Sequence, residues 1–441
     1  MRDGYLNIHR YRREALSYFS SKIQQEQLFN RLKKIVEHAN SATKYYKDTW
    51  NESGLNPRLL KNFEDFEMFP FITKDIIQEK KESMVSEIYR DQLEISYTGG
   101  SSGNPTSFYR DKICTAKRIG RQQGILELCG YEQGERCGLI WGAHADLDLS
   151  PVSGLKRKLR QFASGKLTLC CTVLDDEKMM GYYKELERFN PDVLYGYPNA
   201  MVEFADFINK KRLKPIGVKR IFCTAESLST AQRAKLSDVF QGEVYNLYCT
   251  REHGCIGFEC KNHDGFHIDT GSVYVETVNI RKTGFDDWGE IVITDLLNYG
   301  MPLIRNQIGD VGVLSEQPCS CGCSLPLLKN FTGRQTDMIY KKDGTPIAGL
   351  MLLDLMTDIS EIKWIQIIQD SFDAVTILLV VEDGYNKDTE QFLIHELDAI
   401  FEGQTLFYIN IVDDIPRNPR SGKYHEVICR IPGVKSRGLE S

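Results

Sequence analysis

Between Ile95 and about Asp310, short apolar runs alternate with amphipathic helical segments, and this alternation restricts the fold more than any other feature of the chain. Gly138-Leu139-Ile140-Trp141, Val193-Leu194-Tyr195 and Arg220-Ile221-Phe222-Cys223 read as buried strands, whereas Asp175 to Phe189 and Ala200 to Lys211 read as helices. Strands that alternate with helices build a largely parallel sheet, so the expected fold class is α/β. Gly289 to Thr294 reads as a further strand.

The flanking regions read differently. Up to about Tyr89 the chain is mainly helical: Tyr18, Phe19, Ile23, Leu28, Phe29, Leu32 and Ile35 return at near-helical spacing and look like a packing face. Pro70 breaks the pattern, and Thr73 opens a new helix with Asp75 in its first turn. After Gly333 a small β-α unit follows. Ile365 to Ile368 and Val375 to Val381 flank a turn at Asp370 to Asp373; a helix with Phe392, Leu393, Leu397, Ile400 and Phe401 on one side stops near Gly403; and Leu406 to Val412 reads as a strand. With 441 residues, about two or three folding units are expected, the last a C-terminal domain of about 100 residues.

Charge narrows the partners. The 55 basic and 61 acidic side chains leave a net charge of -6 with no long basic stretch, which argues against nucleic acid. The run Lys156, Arg157, Lys158, Arg160 reads as the solvated face of a helix, with phosphate binding as the lesser alternative. No stretch of about 18 uncharged apolar residues occurs, and Arg2, Asp3, Arg10, Arg12, Arg13 and Glu14 are too charged for an export signal, so a cytoplasmic chain without membrane insertion is expected. Thirteen cysteines, two of them adjacent at Cys170 and Cys171, are then expected as reduced thiols, some of them holding metal.

Three places can carry chemistry. The loop Tyr97-Thr98-Gly99-Gly100-Ser101-Ser102-Gly103-Asn104-Pro105-Thr106 follows a predicted strand, and its glycines and hydroxyls suit the close approach of backbone N–H groups to phosphate. It lacks Walker spacing, and a plain turn of the same composition is the competing reading. Cys255, Cys260, His263, His267, Cys319, Cys321 and Cys323 offer soft thiolate and imidazole at a density that suits tetrahedral zinc; a cluster of core cysteines is the alternative. His144, at the end of a predicted strand, is either a pocket residue or a polar core residue.

The glycine- and serine-rich loop resembles the nucleotide loop of adenylate-forming enzymes, and the resemblance continues in order along the chain. Phe69 to Lys74, Pro191 to Pro198, Thr224-Ala225-Glu226-Ser227-Leu228, Tyr248 to Glu252, Asn306 to Asp310, Gly333 to Asp337 and Ser421-Gly422-Lys423 resemble successive landmarks of phenylacetate–CoA ligases. Arg251 before Glu252 looks closest to the branch named for capsular-polysaccharide biosynthesis. The resemblance implies a large adenylation domain over 1–334, with the helical N-terminal segment and a zinc-binding insert, and a small mobile α+β lid over 335–441, hinged at Gln335 to Asp337.

It also implies roles. Ser101, Ser102, Gly103 and Thr106 would hold phosphates, with Ala225 and Glu226 also on the nucleotide; Tyr248 would stack on adenine, Glu252 would face Mg2+, and Asp310 and Arg334 would hold the ribose side. Lys423 would stabilise charge at the reacting phosphate, and Tyr197 with His144 would line the acid pocket. Cys260, His267, Cys319 and Cys321 would bind a structural zinc, with Cys255 and Cys323 in reserve. Singly, each has a plainer reading: a buried tyrosine, a surface carboxylate, a turn aspartate, an interdomain ion pair, a solvated lysine. The implied activity is MgATP-dependent conversion of a carboxylic acid to acyl-AMP, then transfer to CoA, a carrier thiol or an amine. Lys342 to Gly349 lacks the pattern that phenylacetate–CoA ligases show after the hinge, which leaves the acceptor open. Direct amide formation in surface-polysaccharide synthesis, and a binding protein that keeps the fold without catalysis, are the rival expectations.

Overall fold

A computed structural model describes residues 2–19, 24–97, 106–142, 163–171, 174–282, 287–334, 338–357, 359, 361–415 and 426–431. Ser101, Ser102, Gly103, His144, the segment Gln335 to Asp337 and Lys423 lie outside these residues, and Arg334 is described by its strand position alone.

The first two strands, β1 (Leu93–Tyr97) and β2 (Ser107–Asp111), are antiparallel, with Tyr97 opposite Ser107. Both ends of the glycine- and serine-rich loop are therefore anchored on one ladder. Five parallel strands follow, β3 (Cys137–Trp141), β4 (Lys166–Cys170), β5 (Val193–Gly196), β6 (Arg220–Thr224) and β7 (Glu243–Thr250), in spatial order 4-3-5-6-7. The same sheet then turns antiparallel through β8 (Gly254–Phe258), β9 (Phe266–Ile268), β10 (Val273–Lys282), β11 (Asp287–Asp295), β12 (Asn306–Leu314) and β13 (Leu327–Arg334), in order 7-8-9-13-12-11-10. The α/β expectation holds, and its parallel part is one side of an eleven-stranded mixed sheet.

Helices cover both faces of the parallel strands, as such strands require. Alternate residues point opposite ways, so Leu194, Ile221 and Val244 meet helices 176–189, 198–210 and 230–240, while Val193, Phe222, Tyr245 and Leu247 face helices 2–19 and 112–128. Local signals set the helix ends: Asp175 caps one start by accepting from the Lys178 N–H, Asn190 closes that helix at φ 50°, and Ser229 with Gln232 forms a reciprocal capping box. Helices 2–19 and 112–128 touch at Gly120, where a Cβ would sit 2.7 Å from Tyr11 Cβ.

The predicted N-terminal apolar face is divided between two cores. Tyr18 and Phe19 join the core under helix 112–128, whereas Leu28, Leu32 and Ile35 join Trp50, Phe66 and Ile72; Ile23 lies outside the described residues. The chain forms two helices there, Arg2–Phe19 and Gln24–Ala42, so one sequence periodicity serves two surfaces.

Beyond the large sheet, β14 (Met338–Tyr340) pairs with β15 (Pro346–Ala348), and β16 (Ile362–Ser371), β17 (Ala374–Val381), β18 (Leu406–Ile411) and β19 (Val427–Cys429) form a sheet in order 18-17-16-19. Helix Lys387–Phe401 packs on it through Leu393, Leu397 and Phe401. Phe392, expected on the same side, is 53% exposed, because adjacent helical residues point about 100° apart and Leu393 takes the inward position.

Candidate functional site

The site is assembled where the parallel strands meet the antiparallel ones. Tyr248, near the end of β7, is buried and donates its hydroxyl proton to Asp310 Oδ2 at 2.7 Å. Asp310 follows Gly309, which holds φ 80°, and stands opposite Arg334 in the β12–β13 register. The register therefore sets the backbones of these two residues side by side. Phe331, also on β13, packs its ring 4.4 Å from that of Tyr248, and Phe266 approaches both, at 5.9 Å from Tyr248 and 5.3 Å from Phe331.

Phe266 and Phe331 form part of the wall of a cavity of about 310 Å³, shared with Ser227, Leu228 and Asn246. The volume is at the lower end of small-molecule sites. Ser227 arrives there because Ala225, directly after β6, adopts φ 70°, a conformation that side-chain-bearing residues rarely take. Glu226 turns back to accept from the Asn199 N–H at 3.3 Å, at the start of helix 198–210.

Glu252 lies in the tight connection between β7 and β8 and is half-buried. Its backbone is held by Arg118, a buried residue of helix 112–128 whose guanidinium donates to the carbonyls of Glu252 and Arg251 and to the Asp295 carboxylate. Asp295 in turn accepts from the N–H groups of Leu297 and Asn298, at 2.8 and 3.2 Å. A planar donor fork serves several acceptors at once, which an ammonium group does poorly. The next residue, His253, is buried, with Nε2 3.0 Å from Asn306 Nδ2; burial first and Arg118 second push its imidazole down to about 3, so it is neutral.

Tyr197, proposed for the acid pocket, is buried against Trp141 at 4.6 Å, beyond the carboxyl ends of β3 and β5. Tyr195 lies 6.1 Å from the same indole and accepts from Gln122 Nε2 at 2.9 Å. Carboxyl ends of parallel strands are where ligands bind in open α/β sheets. Thr106 is buried immediately before β2.

Cys260, His267, Cys319 and Cys321 offer ligand atoms that all lie within 4.8 Å of one another. Cys260 and Cys319 sulfurs are 3.7 Å apart, and Cys321 Sγ is 3.4 Å from His267 Nε2. Around tetrahedral zinc, bonds of about 2.3 Å to sulfur and 2.0–2.1 Å to nitrogen imply separations of about 3.8 and 3.6 Å, so the donor set fits that ion. Burial holds His267 below the usual imidazole range, favouring the neutral form a metal takes. Without a cation the Cys260 thiol is pushed up to about 12, mainly by burial with Cys319 and Cys321 adding to it, a bias that a bound cation reverses. The two reserve cysteines are elsewhere: Cys255 pairs with Cys249 across the β7–β8 ladder, and Cys323 contributes a backbone N–H to Cys321 Sγ at 3.4 Å. His263 instead meets Glu259, at 3.3 Å.

Sequence reasoning missed Phe331, Phe266, Arg118 and Asp295. A signal existed for Arg118: Cys114, Arg118, Arg121 and Ile125 recur at helical spacing, which placed two arginines on an inward face.

Comparisons with known proteins bear on the fold that carries these residues. Residues 339–430 match the family described as CapK C-terminal domain. The chain is 23% identical to Protein CapK of Staphylococcus aureus over 93% of its own length and 89% of the relative's. It is 22% identical to a phenylacetate-coenzyme A ligase of Thermus thermophilus, covering 70% of each chain. Among solved structures, 2-hydroxyisobutyryl-CoA ligase in its postadenylation state, bound to 2-HIB-AMP, aligns with a TM-score of 0.75 at 18% identity over 95% of this chain and 92% of that one. The fold is thus that of adenylate-forming CoA ligases.

Proposed function

We propose that this chain, similar over nearly its whole length to Protein CapK and over most of it to phenylacetate-coenzyme A ligases, is an ATP-dependent ligase that activates a carboxylic acid as its acyl adenylate and then passes the acyl group to a thiol or an amine. The observation that carries this reading is the Tyr248–Asp310 pair beside the cavity. A buried carboxylate that accepts from the Tyr248 phenol and lies across the ladder from Arg334 supports this reading, because a carboxylate can accept hydrogen bonds from two vicinal ribose hydroxyls. The cavity, walled by Phe331, Phe266 and the Ser227 segment, takes the base.

The remaining roles follow the chain. Thr106 with Ser101, Ser102 and Gly103 holds phosphate oxygens, and Ala225 and Glu226 border the nucleotide. Glu252, fixed through its backbone by Arg118, presents its carboxylate to Mg2+, a hard cation that takes oxygen ligands and neutralises phosphate charge. The acid, seated near Tyr197 and His144, attacks the α-phosphorus through its carboxylate oxygen; the bond to the β-phosphate oxygen breaks and pyrophosphate leaves. Lys423 stabilises the charge that builds on the phosphate. Lid rotation about Gln335 to Asp337, between units 1–334 and 335–441, then admits CoA, a carrier thiol or an amine, which takes the acyl group and releases AMP. Cys260, His267, Cys319 and Cys321 hold a structural zinc. No described helix is long and apolar enough to cross a membrane, and we assign the reaction to the cytoplasm, where ATP and reduced thiols are both found.

The test is ATP–pyrophosphate exchange across aryl, fatty, hydroxy and amino acids, run beside Lys423→Ala. Exchange with one class of acid, lost in the variant, is expected. Absence of both exchange and ATP binding would leave only a protein that keeps the fold without catalysis.

A further inference from the structure

The cysteine and histidine cluster and the cavity share their walls. Of the eleven residues that line the cavity, five fall from Glu259 to Phe266, the stretch that contains the ligand Cys260 and leads directly into the ligand His267. Three more, Leu328, Lys329 and Phe331, are on β13, the strand that the Cys319 to Cys321 loop leads into. Eight of the eleven therefore sit on the two segments that the cluster draws together.

Among the described residues the segments are also tied by a backbone bond from the Ile268 N–H to the Pro326 carbonyl at 2.9 Å and by the burial of Phe266, Ile268 and Leu328 in one core, while their direct ladder and surface contacts are few. β9 and β13 share a ladder of two residue pairs, Leu327 with His267 and Leu328 with Phe266. Lys329 Nζ meets Asp264 Oδ2 at 2.9 Å, but Asp264 is exposed and Lys329 only half-buried, and such pairs add little. Asn262 Nδ2 donates to Ser320 Oγ at 2.8 Å, also in exposed surroundings. Gly265, at φ 129°, lies so close to Leu328 that a Cβ would come within 2.5 Å of its carbonyl oxygen, so the spacing of the walls has no slack. From the ligand His267 the contacts run directly inward: Phe266 precedes it in the chain and touches both Phe331 and Tyr248.

We infer that a metal held by Cys260, His267, Cys319 and Cys321 is the cross-link that sets the width of the base-binding cavity, so that metal retention and nucleotide binding are linked. The inference rests on the nucleotide reading given above. Linkage is reciprocal: if the metal favours the cavity that binds the nucleotide, the nucleotide favours the state that keeps the metal, by the same factor.

The measurement is the release of zinc from the full-length, zinc-loaded protein to a competing chelator, followed colorimetrically with and without saturating AMP, beside calorimetric titration of AMP into zinc-loaded and zinc-stripped protein. AMP is expected to tighten zinc retention by about fivefold or more, and zinc to tighten AMP binding by the same factor. Cys321→Ser, checked for folding by circular dichroism, should lose AMP affinity to a similar degree. If stripped or substituted protein unfolds, the retention arm on the wild-type chain decides alone. AMP that binds yet leaves zinc retention unchanged overturns the coupling while sparing the functional reading. Failure of AMP to bind the zinc-loaded protein overturns both.

Discussion

The two sides of the large sheet are built on different physical terms. The parallel side, β3 to β7, is held by an apolar core in which Leu194, Ile221, Met201, Phe204 and Phe240 are almost wholly buried. The antiparallel side buries charge. Arg118 with Asp295, Arg121 with Asp269, and Arg305 with Glu276 are ion pairs in which both partners are at most 7% exposed, and each of the three carboxylates belongs to the stretch from β9 to the end of β11. Buried pairs are poor net stabilisers compared with apolar packing, yet breaking one leaves an uncompensated charge. The apolar side supplies a platform, and the charged side fixes particular backbone carbonyls and carboxylates at the seam where the site lies.

That contrast can be broken by paired substitutions. Asp295→Ala leaves Arg118 buried without its carboxylate; it should cost about 3–5 kcal/mol in urea unfolding and also weaken MgATP use, because the same guanidinium positions Glu252. Leu194→Ala, in the parallel core, should cost a comparable or smaller amount, about 2–5 kcal/mol, but leave AMP affinity unchanged at temperatures where the variant is folded. Equal damage to AMP affinity from both would erase the proposed division of labour. Tyr248→Phe sharpens the contrast further: losing a hydrogen bond to a buried carboxylate should cost about 1.5–3 kcal/mol of stability, read from the same urea curves, with the Leu194 core untouched.

How much of this the sequence discloses follows the same division. Apolar periodicity marks β3, β5, β6 and the helices over them, because burial of alternating or helically spaced side chains is a local signal. Thiolate and imidazole density, visible without coordinates, marked seven candidates, and the family resemblance narrowed them to the four that the fold gathers from the β8–β9 connection, β9 and the β12–β13 loop. Phe331 was not legible: an aromatic on a strand reads as core, and its role depends on β13 inserting between β9 and β12, a pairing that joins segments some 60 residues apart. Asp295 was hidden for a related reason. It lies at a strand end, and its partner Arg118 is 177 residues away. Phe392 shows the converse error, since including it on the packing side ignored the angular step between neighbouring helical residues.

The central claim is that Asp310, held by Tyr248 beside the cavity, binds the ribose of an adenine nucleotide. Calorimetric titration of AMP and of 2′,3′-dideoxy-AMP into wild-type protein and Asp310→Asn tests it directly. The account predicts tighter binding of AMP than of the dideoxy analogue by the wild-type chain, and near-equal, weaker binding of both by the variant. Equal affinities of the wild-type chain for the two nucleotides would contradict it.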